Sequence, residues 1–185
     1  MRDHLNPSGQ QDAFGTRINR EPDPLLAMGL PWLTIILAAL APLSPIIAPA
    51  PVLPPLAFLA LNAWRLLRPN LLPLWAGLPL GLIADLFSGQ PFGSGIMLFS
   101  LALIALDLFE GRFPWRNFWQ NWAVAAVLIV AYLAIAGLVS GAQLTLVQMG
   151  VIVPQALLSV VLFPIMAALI GLLDRLRLLH VRRID

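Results

Sequence analysis

Four stretches of the chain contain no Asp, Glu, Lys or Arg, and they constrain the fold more than any other feature of the sequence. They cover residues 24–64, 69–84, 86–106 and 117–173. A helix needs roughly 20 apolar residues to cross the hydrocarbon core of a bilayer. The first and last stretches are each long enough for two crossings, and the middle two give one each. The sequence therefore predicts an all-α, polytopic integral membrane protein with about six transmembrane helices.

Composition supports this class and excludes several others. Hydrophobic residues make up 59% of the 185 residues and charged residues 11%, whereas soluble domains are about half apolar and a quarter charged. The chain has no Cys, and its two His residues, His4 and His180, stand near opposite ends. Thiolate and imidazole metal sites are therefore not expected. The net charge of +2 is too small to indicate a nucleic-acid partner, and no cofactor is predicted.

Prolines and glycines divide the charge-free stretches into helices, because a helix interior tolerates few missing donors. The expected helices cover about 25–44, 55–67, 70–87, 94–110, 118–139 and 147–173. The second is short, since 13 residues at 1.5 Å each span only about 20 Å. It is expected to lean on the Pro-rich stretch before it, to thin the bilayer, or to be only partly inserted.

The eleven basic residues are all Arg, and their positions predict the orientation of the chain. Cytoplasmic loops carry an excess of Arg and Lys. With six crossings and a cytoplasmic N-terminus, every Arg falls on the cytoplasmic side, so both termini are expected there. Three segments follow: a disordered cytoplasmic tail over 1–23, a six-helix transmembrane domain over 24–175 and a short basic cytoplasmic C-terminus over 176–185.

Asp85 is a carboxylate inside a predicted membrane helix, where its insertion costs several kcal/mol. In one interpretation, Asp85 has a function, and it is retained in the membrane for that function despite the energetic cost. The other is that it caps the turn over residues 88–93 through Ser88 or backbone donors. The sequence offers no second deep carboxylate, buried Lys or membrane His as a partner, which disfavours transport chemistry.

The other polar residues near the membrane do not form a catalytic pattern. Asp107 and Glu110 share one helix face, with Arg112 and Arg116 just beyond, and are interpreted as an interfacial ion cluster rather than a catalytic pair. No Ser lies in a Gly-x-Ser-x-Gly motif, and no membrane His is available as a base. We therefore expect no catalytic residues and no enzyme.

Small residues on the last two helices are candidate docking positions. Ala134 on the fifth helix and Gly171 on the sixth belong to faces where backbones can approach closely. Such faces dock partner helices or only pack helices within one chain, and the sequence leaves both open.

A glycine- and proline-rich pattern surrounds Asp85 and continues into the next helix. It reads Gly-x-x-x-Asp-x-x-x-Gly-x-Pro-x-Gly and consists of Gly81, Asp85, Gly89, Pro91 and Gly93. This pattern resembles the signature of the rod shape-determining protein MreD family, in which it ends one membrane helix and opens the next.

A second motif precedes the same helix and strengthens the resemblance. Trp64, Arg65, Arg68 and Pro69 are similar to the family's aromatic-Arg-x-x-Arg-Pro turn, here expected on the cytoplasmic side. The resemblance covers about residues 25–175. The N-terminal tail has no counterpart in it.

The resemblance implies a non-enzymatic scaffold of the cell-elongation machinery in the bacterial inner membrane. Members of the family work with the bitopic protein MreC, the actin-like protein MreB and the cell-wall synthases to direct lateral peptidoglycan synthesis. It therefore implies an MreC-like partner and, directly or indirectly, an MreB-like filament and the synthases. Membrane lipid is the remaining expected partner.

A small transporter or solute-binding subunit is the alternative. Six short helices with Pro breaks and one Asp near the outer face also resemble the vitamin-capturing subunits of energy-coupling transporters. Such a subunit needs several polar side chains that converge from different helices. The sequence offers only Asp85, Asn62 and Gln148 for this purpose.

Overall fold

The computed structural model describes residues 24–43, 53–112, 117–141 and 146–177. These residues contain no strand and form six α-helices, so the all-α prediction is confirmed. The helices are α1 (Pro24–Ala39), α2 (Leu56–Leu67), α3 (Gly77–Ser88), α4 (Ser94–Arg112), α5 (Phe118–Val139) and α6 (Leu146–Arg177). The predicted tail over 1–23, both termini and Arg116 lie outside the described residues. The side of the membrane on which the termini lie stays a prediction.

The helices fall into a long group and a short group. Residues 94–112, 118–139 and 152–176 are long and apolar enough to cross a bilayer, whereas α1, α2 and α3 are shorter apolar helices. Large apolar side chains on the long helices are exposed, among them Leu108, Val127 and Leu157 at 63–70%. Such surfaces are expected where lipid surrounds the protein.

The short α2 lies in the middle of the bundle. Ten of its twelve residues are buried, and α1, α4, α5 and α6 all contact it. At 1.5 Å per residue it is about 18 Å long. Because protein surrounds α2, its length does not have to match the lipid, and its polar residues Asn62 and Arg65 are shielded from hydrocarbon.

Three predicted helix boundaries are wrong. The first helix ends at Ala39 rather than near residue 44, and a 3₁₀ turn over Ala41–Leu43 follows it. The third helix begins at Gly77 rather than near residue 70, after a 3₁₀ turn over Leu74–Ala76. Asn70 has a φ of 63° and Pro73 is extended with a ψ of 155°, so the chain turns before it enters the helix. The sixth helix continues past residue 173 to Arg177.

A tryptophan from α5 compensates for a proline in α6. Pro164 has no N–H, so the carbonyl of Val160, four residues earlier, loses its helical donor. Trp122 Nε1 donates a hydrogen bond to this carbonyl at 3.1 Å. A neighbouring helix thus satisfies the freed backbone group, as membrane helices require, and α5 is tied to α6.

Candidate functional site

Glycines allow α3 and α4 to pack with their backbones in contact. A Cβ on Gly81 would lie 2.5 Å from the carbonyl oxygen of Gly95, and one on Gly77 would lie 2.7 Å from Cα of Ser100. Both distances are too short for any side chain. Gly77, Gly81 and Asp85 follow one another at four-residue spacing, so they lie on one face of α3. This face therefore aims the Asp85 side chain directly at the start of α4.

The Asp85 carboxylate binds the N-terminus of α4. Its Oδ1 accepts a hydrogen bond from the Gly95 N–H at 2.6 Å, and its Oδ2 accepts one from the Gly93 N–H at 2.8 Å. A longer bond of 3.4 Å comes from the Ile96 N–H. The first N–H groups of a helix have no partner within it, and the helix dipole favours a negative charge there. Asp85 supplies both the acceptors and the charge, although it is only 5% exposed.

The loop between α3 and α4 has the conformation that this contact needs. Gly89 and Gly93 have φ values of 67° and 96°, a region that glycine enters without strain. The Pro91 carbonyl accepts a hydrogen bond from the Ser94 hydroxyl at 2.7 Å, and that hydroxyl lies 3.3 Å from Asp85 Oδ1. The five motif residues thus form one hairpin. The donors to Asp85 come from the start of α4, whereas Ser88 is not among them. Whether the hairpin has a function beyond this structure stays a prediction.

The opposite end of α4 is bound by a buried arginine from α2. Arg65 is 2% exposed, and its Nη2 lies 2.7 Å from Asp107 Oδ1 and 3.1 Å from Glu110 Oε2. The predicted ion cluster therefore includes Arg65, a cation that the sequence did not indicate, whereas Arg116 lies outside the described residues. The cluster forms because α2 and α4 pack side by side, which places Arg65 next to the last turns of α4.

The rest of the Trp64 to Pro69 motif connects α2 to two further helices. Trp64 is fully buried, and its Nε1 donates to the Thr34 hydroxyl of α1 at 2.8 Å. Arg68 Nη2 lies 2.6 Å from Asp174 Oδ2 of α6. Pro69 follows at the exposed turn. The motif thus fixes the end of α2 against α1, α4 and α6.

A cavity of about 620 Å³ opens at the Asp85 end of the bundle, and all six helices contribute to its lining. Phe58, Phe99 and Tyr132 form an aromatic wall, in which the rings of Phe58 and Tyr132 stack at 4.2 Å between centroids. The polar lining side chains are Ser88, Gln90, Tyr132, Ser140 and Gln155.

All five of these polar side chains already form hydrogen bonds within the protein. The Gln90 side chain accepts one from the Ser94 hydroxyl at 3.4 Å and is hydrogen-bonded to Tyr132, and the Ser88 hydroxyl accepts one from the Gln90 N–H at 3.4 Å. Gln155 Nε2 donates to the Leu53 carbonyl at 2.7 Å, and the Ser140 hydroxyl donates to the Ala136 carbonyl at 2.8 Å. The described lining contains no Asp, Glu, Lys or Arg. Asn62 does not reach the cavity, and Gln148 has no described side chain. The cavity therefore suits an apolar occupant better than a charged solute.

Neither candidate docking residue is part of the lining of this cavity. Ala134 and Gly171 are both partly exposed, and a Cβ on Gly171 would meet nothing within 4 Å. In the described part of the chain, no group of three His, Cys, Asp or Glu residues could hold a metal ion.

Sequence reasoning missed Gly77, Gly95 and the cavity. A signal for the first was present, because Gly77 and Gly81 form a small-xxx-small pair that is typical of close helix packing. Gly95 follows the recognised motif by two residues and has no local signal of its own. Its need for glycine comes from Asp85 and Gly81, which would lie 2.6 and 2.8 Å from a Cβ at this position.

Comparisons with curated proteins and with solved structures find no match. Residues 25–177 match the family described as rod shape-determining protein MreD. The matched range includes the hairpin around Asp85, the arginine turn after α2 and all but one residue of the six helices. The chain therefore belongs to the rod shape-determining protein MreD family.

Proposed function

We propose that this protein is a non-enzymatic scaffold of the cell-elongation machinery in the bacterial inner membrane, and that it acts by binding other membrane proteins. Membership of the MreD family supports a role in rod-shape determination. The proposal that it binds other membrane proteins rests on one observation, which is the cavity at the Asp85 end of the bundle, whose described lining carries no charged side chain.

The lining of the cavity indicates the kind of occupant. Burial of apolar surface contributes about 25 cal/mol per Å², and Leu53, Leu56 and Ile152, which line the cavity and keep part of their side chains accessible, offer such a surface to a ligand. An apolar segment of a membrane protein gains this energy and leaves few polar groups unpaired. Within the cell-elongation machinery, the bitopic MreC-like protein has such a membrane segment, and we propose that this segment occupies the cavity.

A cavity-filling substitution tests this proposal. Ala136 lines the cavity on α5 and is 4% exposed, whereas Val127 on the same helix is 68% exposed and faces away from the core. Ala136→Trp should abolish co-purification with the bitopic partner and the support of rod shape, whereas Val127→Trp should leave both intact. Both variants must elute as monodisperse protein. Retained co-purification by Ala136→Trp would exclude the cavity as the binding site.

The alternative function, a solute-binding subunit of a transporter, is favoured by the presence of a cavity that all six helices line. The proteins that co-purify from native membranes distinguish the two functions. A scaffold should retain the bitopic partner and cell-wall synthases, whereas a transporter subunit should retain an ATPase.

The small-residue faces remain a second candidate contact for the same partner. Ala134→Leu and Gly171→Leu add bulk at partly exposed positions, so they should fold normally. Loss of the complex in either variant, with the complex of Val127→Trp intact, would place the contact on α5 or α6 outside the cavity.

A further inference from the structure

The hairpin around Asp85 and the cavity meet at Gln90. Gln90 belongs to the loop between α3 and α4, and its side chain also lines the cavity. There it is hydrogen-bonded to the side chain of Tyr132 on α5, and its Oε1 lies 3.4 Å from the Ser94 hydroxyl at the start of α4. One side chain thus contacts both the motif around Asp85 and the wall of the cavity.

Asp85 holds Ser94 in place. Its carboxylate accepts hydrogen bonds from the N–H groups of the residues directly before and after Ser94, at 2.8 and 2.6 Å. The Ser94 hydroxyl lies 3.3 Å from Asp85 Oδ1 and donates to the Pro91 carbonyl at 2.7 Å. Hydrogen bonds to a charged acceptor are about twice as strong as those between neutral groups. The carboxylate therefore fixes the end of the loop from which Gln90 reaches the cavity.

Tyr132 receives from Gln90 the polar contact that its buried hydroxyl needs. The residue is only 7% exposed, and a buried Tyr hydroxyl usually has a hydrogen-bond partner. Its ring stacks on Phe58 of α2 at 4.2 Å between centroids and meets Phe99 of α4 edge-on at 6.4 Å. The aromatic wall thus joins α2, α4 and α5, and the contact with Gln90 connects this wall to the hairpin.

We propose that Asp85 is a positioning residue for the cavity. It holds the loop so that Gln90 stays bonded to Tyr132, and this bond keeps the wall of the cavity in the shape that accepts an apolar segment. Asp85 is not among the lining residues, so it acts through Gln90 rather than on the occupant. The consequence for partner binding rests on the proposed function, whereas the effect on the cavity itself does not.

The test uses the absence of Cys from the chain. Ala136→Cys places a single thiol in the lining of the cavity. The rate at which this thiol reacts with monobromobimane, measured on the purified full chain in detergent, reports access to the cavity without any partner. Loss of the bond between Gln90 and Tyr132 frees the loop from α5, so the thiol should react several-fold faster when Asp85→Ala, Gln90→Met or Tyr132→Phe is added.

Conservative variants keep the test decisive if Asp85→Ala does not fold. Gln90→Met and Tyr132→Phe remove one end of the bond and leave the size of the side chain nearly unchanged. Asp85→Asn keeps one acceptor oxygen and should accelerate the reaction less than Asp85→Ala does. Phe92→Ala is the matched control, because Phe92 belongs to the same loop but is 70% exposed and does not line the cavity. It should leave the rate unchanged.

Combined substitutions test whether these residues act through one chain of contacts. Effects of residues in one network are not additive, so Asp85→Ala together with Gln90→Met should react no faster than Asp85→Ala alone. An unchanged rate after the single substitutions at Asp85, Gln90 or Tyr132 would overturn the proposal. So would multiplied effects in the double variant, or an equal acceleration by Phe92→Ala.

Failure of this proposal is distinguishable from failure of the proposed function. If the partner binds elsewhere, Ala136→Trp retains the partner, while the labelling rates still change as described. If the hairpin does not position the wall of the cavity, the labelling rates are equal, whereas Ala136→Trp still loses the partner.

Discussion

Helix α4 is held at both ends by a charged side chain from another helix, and the two contacts use opposite chemistry. At its start, the Asp85 carboxylate accepts backbone hydrogen bonds. At its end, the Arg65 guanidinium binds two side-chain carboxylates. A negative charge at the N-terminus and a positive charge at the C-terminus both complement the helix dipole. The first contact orders a loop, whereas the second joins two helices that are distant in the sequence.

The comparison shows why the two ends should respond differently to mutation. Asp85 satisfies donors that lie close to an open loop, so water can replace part of the contact when the carboxylate is removed. Arg65 is buried, and its removal takes a cation away from Asp107 and from Glu110, which is 12% exposed. We therefore expect substitutions of Arg65 to lower the stability of the protein more, and substitutions of Asp85 to impair its function more.

The largest expected effect is that of Arg65→Met. Loss of one partner from a buried ion pair costs about 3–5 kcal/mol, so the variant should unfold at a much lower temperature in detergent. Arg112→Met removes an exposed Arg from the end of α4 and should cost little. Equal unfolding midpoints for the two variants would show that the arginine end does not stabilise the bundle.

Gly95→Ala should have the next largest effect. A Cβ there would lie 2.6 Å from Asp85 Oδ1 and 2.8 Å from the Gly81 carbonyl oxygen, and overpacking of this kind costs about 1–3 kcal/mol. Gly111→Ala is the control on the same helix, because a Cβ at Gly111 meets nothing within 4 Å. The control should be neutral or up to about 1 kcal/mol more stable. Thermal unfolding in detergent measures both, and an unaffected Gly95→Ala would contradict the close contact.

Asp85→Ala should separate function from stability. The unpaired N–H groups cost about 1–3 kcal/mol, so we expect accumulation at near-normal levels together with a failure to support rod shape. Asp85→Asn keeps one acceptor oxygen, so its support of rod shape should lie between that of Asp85→Ala and that of the wild type. Normal rod shape in cells that express only the Asp85→Ala variant would show that this residue only caps the loop.

Arg68→Gln should have the smallest effect on stability. Its partner Asp174 is largely buried, but the Gln side chain can still donate a hydrogen bond to that carboxylate, and water reaches the half-exposed side chain at position 68. The loss should therefore be about 1 kcal/mol, the typical net value of one hydrogen bond. The same unfolding assay should therefore rank Arg68→Gln well below Arg65→Met. Equal losses would mean that the whole arginine turn, rather than the buried Arg65, stabilises the bundle.

The features that the sequence predicted correctly depend on residues close together in the chain. Charge-free stretches indicated the helices, and the spacing from Gly81 to Gly93 indicated a hairpin, because loop glycines and a cap act within about a dozen residues. The errors at the start of α3 and the end of α6 also have local causes, namely the turn before Pro73 and the ability of α6 to continue through Asp174 and Arg175.

Other features were decided by the tertiary structure alone. The pairing of Arg65 with Asp107 joins residues 42 positions apart, and that of Arg68 with Asp174 joins residues 106 apart. The hydrogen bond from Trp122 to Val160 and the cavity likewise exist only once the helices have packed. Hydrophobic periodicity and turn residues determine which segments become helices, since these act along the chain. Which helices become neighbours depends on the packing of whole surfaces, and no local pattern specifies it.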